Sequence, residues 1–130
     1  MQQLQFESSW AKALSAQDRD AIEKLFNDTK QQHDSTIVFS PIRQAINHRI
    51  ELLVTVLVHN FSQQPLAFKD TRLVYSNGQE ILAENTFTLP TLTIPPQVSM
   101  PWTFIFPVHQ GNDFENGRLT VDFDYNASKF

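Results

Sequence analysis

The apolar period changes once along this chain, and that change constrains the fold more than any other feature. Before the mid-thirties, apolar side chains recur at helical spacing; from Ile37 onward they recur at every second position. Ser15 predicts a helix start, because its hydroxyl can cap unpaired backbone N–H groups and Asp18 suits the positive end of the helix dipole. Ala21, Ile22, Leu25 and Phe26 then share one face, with Asp20, Glu23, Lys24 and Asp28 opposite, for about four turns. Upstream, Phe6, Trp10 and Leu14 are spaced four apart, so a short preceding helix would present all three together. Thr29 to Ser35 is polar and reads as a linker.

Beyond the linker, the strongest strand signal runs from Ile50 to Val58, with apolar residues on the even positions and Leu53 and Leu57 on the second face. Two apolar faces predict a central strand covered on both sides. Pro65 to Tyr75 reads as a strand interrupted near Lys69-Asp70, and it runs into Ser76-Asn77-Gly78-Gln79. Asn-Gly predicts a tight hairpin, because both central residues of a type I′ turn need positive φ. Ile81, Ala83, Phe87 and Leu89 alternate on the far side, and Leu92 and Ile94 give a short strand ended by Pro95-Pro96. Leu119, Val121, Phe123 and Tyr125 alternate with polar residues to form a last strand with one wet face.

With Ile37 to Phe39 and Val98 to Pro107, the pattern gives about seven short strands without helices between them. The expectation is a mainly β protein: an immunoglobulin-like antiparallel β-sandwich with an N-terminal helical arm. Residues 1–34 would form the arm and residues 35–130 the sandwich, together one domain.

The segment Val98 to Pro107 carries Val98, Met100, Trp102, Phe104 and Phe106 on one face. An inner wall of a sandwich needs such a face, so core packing is its first reading. Pro101 and Pro107 lack ladder donors, which predicts an edge strand or outward-facing donor positions. The rival function for this face is a small-molecule or glycan site lined by Trp102, Phe104 and Phe106.

Composition excludes several chemistries. A formal charge of −4 with scattered Lys and Arg offers no basic stripe for nucleic acid. The absence of cysteine removes disulfides, thiolate metal sites and thiol nucleophiles. As written, the chain begins without a basic, apolar leader and contains no membrane-length apolar run, so a cytoplasmic location is expected.

His33, His48, His59 and His109 lack metal-ligand spacing and read as solvated or hydrogen-bonded, with no metal or cofactor implied. Asp122 and Asp124 could pair carboxylates, yet Arg118 and Thr120 on the same side make a solvated sheet face the simpler account. Gly78, Gly111 and Gly117 are isolated and form no phosphate-cradling loop, and the serines show no nucleophile-elbow pattern. Asn60-Phe-Ser62 and Asn126-Ala-Ser128 match glycosylation acceptors but carry no weight without a secretory signal. A non-enzymatic protein is expected.

The arm is the remaining binding element. Phe6, Trp10 and Leu14 can staple onto their own sandwich or lie against a partner, and docking onto a second copy would make a homodimer.

The blocks Phe6-Glu-Ser-Ser-Trp-Ala-Lys-Ala-Leu14, Phe39-Ser-Pro-Ile-Arg-Gln-Ala-Ile-Asn-His48, Glu51 to Asn60 and Leu92 to Pro107 resemble the SLAP domain of accessory Sec system S-layer assembly proteins in Gram-positive bacilli. Its most specific pieces here are Gln44-Ala-Ile-Asn-His48 and Met100-Pro-Trp-Thr-Phe-Ile-Phe106. The resemblance implies a cytosolic, non-enzymatic assistant to the accessory SecA motor in exporting S-layer proteins. Its protein partner would be that motor or an S-layer precursor. The family supplies no catalytic motif. On physical grounds Gln44, Asn47 and His48 are expected to hydrogen-bond backbone at a corner of the sandwich, with a polar recognition spot as the rival.

Overall fold

A computed structural model of the chain describes residues 2–31, 36–78, 80–107 and 117–121. The order is β1 (Gln3–Leu4), α1 (Ser8–Ala13), α2 (Ala16–Thr29), β2 (Ile37–Ile46), β3 (Glu51–Asn60), β4 (Leu66–Asn77), β5 (Glu80–Ile94), β6 (Val98–Pro107) and β7 (Arg118–Val121). Two sheets pack face to face, one ordered β1-β6-β3-β2 and the other β5-β4-β7. All pairings are antiparallel except β1 with β6. The sandwich with a helical arm is therefore as expected, although the strand membership differs. β1 was not foreseen, and Ile81 to Ile94 is one long strand.

Strand β3 is central, and both of its faces are covered. Leu52, Val54, Val56 and Val58 point into the inter-sheet core, while Leu57 on the other face packs against Ile22 and Phe26 of α2. The α2 helix starts where the sequence places it, with Ser15 Oγ accepting from Asp18 N at 3.1 Å. Its end runs further than expected. Thr29, assigned to the polar linker, is the last helical residue and is buried.

The aromatic face of β6 is a wall of the core. Phe104 lies 5.2 to 6.1 Å, centroid to centroid, from Phe39, Phe68 and Phe87, and Phe106 lies 5.3 Å from Phe87. The Phe39, Phe87 and Phe106 contacts are edge-to-face and the Phe68 contact is tilted, so the packing uses the ring quadrupoles as well as apolar burial. The rings required by the ligand reading are thus filled in by core neighbours, and only Trp102 of the three is half-buried.

The β6 prolines sit where the fold can accept them. Ser99 O accepts from Gln5 N at 2.9 Å, so the backbone groups of odd-numbered β6 residues face away from β3. Pro101 and Pro107 share that parity, and β3 loses no partner to either of them.

Of the corner residues expected from the sequence, Asn47 supports the turn between β2 and β3. Asn47 Oδ1 accepts from Arg49 N and Glu51 N at 2.9 and 3.0 Å, which supports the β2–β3 turn with Ile50 at φ +59. His48 is exposed, and Gln44 Oε1 accepts from Tyr75 Oη at 3.4 Å across the sandwich. The corner role expected of this block thus belongs to Asn47. The interruption near Lys69-Asp70 is real, with a register shift between Phe68 and Thr71 and Asp70 at φ +49.

The hairpin after β4 is displaced by one residue from the expected Asn77-Gly78 pair. Asn77 still pairs with Glu80, so Gly78, at φ +63, opens the turn.

Gly117 is fixed by a close approach. A Cβ at this position would overlap the ring of Tyr75, which is buried at 4% exposure. Gly117→Ala should therefore cost about 1–3 kcal/mol through overpacking. Urea unfolding monitored by tryptophan fluorescence measures it, and an unchanged midpoint would mean that the ring is not fixed against this glycine.

Candidate functional site

The arm lies across the outer face of the β1-β6-β3-β2 sheet. The sequence placed Phe6, Trp10 and Leu14 on one short helix, but α1 contains only Trp10 of the three. Phe6 precedes the Glu7 cap, and Leu14 is the extended residue that ends the helix. All three nonetheless converge, half-buried, on the cluster formed by Ile22, Phe26 and Leu57. The Arg19 guanidinium lies 4.7 Å from the Phe6 ring centroid and donates to Ala11 O at 3.3 Å, linking α2 back to α1. None of the six α1 residues is fully buried.

The arm is held at both ends by polar contacts. At its start, Gln3 N donates to Gln97 O and Gln5 N to Ser99 O, each at 2.9 Å, and Gln2 Nε2 donates to Ser99 Oγ at 3.0 Å. At its end, Thr29 meets His59 of β3. His59 is fully buried and stacks on Phe61, with ring centroids 5.1 Å apart.

Donor counting fixes the His59 tautomer. Thr29 Oγ1 donates its proton to Leu25 O at 2.6 Å, so at 3.0 Å it accepts from His59 Nε2–H. Ser40 Oγ lies at 3.0 Å from the same nitrogen, and Nδ1 accepts from Ser99 Oγ at 2.6 Å. Burial holds the His59 pKa down at about 4. This neutral imidazole joins the arm, β2, β3 and β6 at one point.

A serine 2.6 Å from a histidine has the composition of a nucleophile and its base. Both Ser99 and His59 are fully buried, and no face of the pair meets solvent in this structure. The arrangement acts as a structural bolt. Sequence reasoning left His59 as either solvated or hydrogen-bonded and missed the bolt, because its hydroxyl partners Thr29, Ser40 and Ser99 lie far apart in the chain.

Other predicted positions separate cleanly. Asn60, in one glycosylation match, is fully buried, and its Nδ2 donates to Gln64 O, Ile94 O and Pro95 O at 2.8 to 3.2 Å. That amide is inaccessible to modification. The described residues contain no metal-type cluster of three or more His, Asp or Glu. His33, His109, Gly111, Asp122, Asp124 and Asn126 lie outside the described residues, as do Phe123 and Tyr125 of the expected last strand.

Residues 4–121 match the family model of the SLAP domain. The chain belongs to the SLAP domain family. No curated protein and no solved structure matches it. The SLAP match opens in β1 and closes in β7, so arm and sandwich both fall inside it. Among the described residues of this SLAP domain, no helix is long and apolar enough to cross a membrane.

Proposed function

We propose that this SLAP domain is a non-enzymatic protein-interaction module that assists the accessory SecA motor in exporting S-layer proteins from the cytoplasm. The family name points to the accessory Sec system and S-layer assembly. The observation that carries the interaction role is the seating of the arm. Phe6, Trp10 and Leu14 are only half-buried, along a helix that buries none of its own residues fully.

Full burial of such a side chain is worth about 1.5–3 kcal/mol, so each of these residues retains apolar surface that a partner could cover. The bolt at His59 and the β1 contacts keep that strip in place, which preserves the geometry a partner would meet.

The test is a pull-down from lysate of the source bacterium, using wild type and the Phe6→Ala, Trp10→Ala double variant as bait once both are shown to fold. Recovery of the accessory motor or an S-layer precursor by wild type alone is the expected result. Equal recovery by the double variant would remove the arm from the interface, and recovery of neither protein would argue against the export role.

A further inference from the structure

Among the described residues β2 pairs with β3 alone, so its other edge is unpaired by any strand there. The hydrogen-bonding register shows which groups that edge presents. Phe61 N donates to Thr36 O, and Asn47 N donates to Glu51 O. Counting from these bonded pairs on either side of the Pro41/Arg43 bulge, the backbone N–H and C=O of Phe39 and Gln44 point away from β3.

Phe39 and Gln44 both line a cleft of about 1190 Å³. Its lining includes all eight consecutive residues from Ile37 to Gln44, a length of about 26 Å at strand rise. Leu25 and Thr29 of α2 form one wall, and Arg118 to Val121 of β7 form the other. The volume exceeds the roughly 300–1,000 Å³ of small-molecule sites, and the lining follows a strand.

Arg43 and Arg118 bring positive charge to this cleft, and the described lining residues include no Asp or Glu. The ion pair found among the described residues is Arg72 with Glu84, outside that lining. Pro41 and the adjacent bulge interrupt the edge, which disfavours indiscriminate pairing between copies without closing the site.

We propose that this cleft is a β-augmentation site for an extended segment of an unfolded protein chain in which apolar and acidic residues alternate. The segment lies along β2 and exchanges backbone hydrogen bonds with Phe39 and Gln44. Its apolar side chains enter the seam between β2 and β7, and its acidic side chains on the alternate face reach Arg43, with Arg118 flanking. Backbone-led recognition tolerates sequence variation, which suits a cargo met before it folds. Assigning the occupant as cargo rests on the export function proposed above.

The full chain is titrated with a fluorescent peptide of about ten residues alternating Val and Glu. A Val–Lys counterpart is run beside it, with anisotropy and amide hydrogen exchange as readouts. Saturable binding of the Val–Glu peptide is expected, with slowed exchange at the Phe39 and Gln44 amides. Arg43→Glu with Arg118→Glu, both at exposed positions, should weaken it by about tenfold or more and favour the Val–Lys peptide.

No saturable binding, binding indifferent to charge reversal, or no slowing at Phe39 and Gln44 would each overturn the site. Binding that required removal of residues 122–130 would assign the cleft to the chain's own end instead. Ile81→Ala, at an exposed β5 position outside the cleft lining, should bind the peptide as wild type does. Peptide binding without recovery of an export protein from lysate would then overturn the export function while leaving the site standing.

Discussion

Acidification from pH 7 to pH 4 should cost the fold roughly 3 kcal/mol through His59 alone. The pKa of this residue is held down at about 4 by burial, against 6.5 for a solvated imidazole. Between those values the unfolded chain takes up a proton that the folded chain refuses, so stability falls as pH falls. Above about pH 6.5 both states are neutral and the term vanishes. Each pH unit inside the window is worth about 1.4 kcal/mol.

Structurally, the incoming proton would go to Nδ1, where Ser99 Oγ now donates. Urea unfolding at several pH values between 7 and 4 measures the slope. His59→Gln should be less stable at pH 7 yet lose the His59 component of that slope. An equal slope in both proteins would show that His59 is not the titrating group.

Phe104→Ala should destabilise the domain by about 3–5 kcal/mol, a large share of the 5–15 kcal/mol that holds most domains together. The ring is 1% exposed and meets aromatic side chains from β2, β4 and β5, so its removal opens a cavity touching both sheets. The adjacent Ile105 points to the opposite face and is 44% exposed. Ile105→Ala should shift stability by no more than about 1 kcal/mol. Comparable urea midpoints for the two variants would contradict the assignment of the even positions to the core.

The alternation that separates Phe104 from Ile105 was legible in the sequence because a strand turns successive side chains to opposite faces. The same logic identified β3 as doubly covered, β6 as a core wall and Ser15 as a cap. It missed β1, since a two-residue strand that exists only through hydrogen bonds to β6 leaves no periodic trace. It ended α2 too early because Thr29 looks like a linker residue until His59 is placed beside it. The hairpin slipped by one residue because an Asn-Gly pair signals a turn without fixing the pairing register around it.

The candidate site divides in the same way. Phe6, Trp10 and Leu14 could be identified as an apolar set from spacing alone, and the SLAP likeness could be seen in contiguous blocks. By itself the sequence determined a mainly β sandwich with an apolar arm and no cysteine chemistry, because those properties depend on local periodicity and composition. Only the tertiary structure decided that the arm seats on its own sheet, that His59 gathers three hydroxyls around one imidazole, and that the β2 edge opens between α2 and β7. Each of these brings together residues distant in sequence, and the free energy of such contacts depends on a geometry that no local pattern encodes.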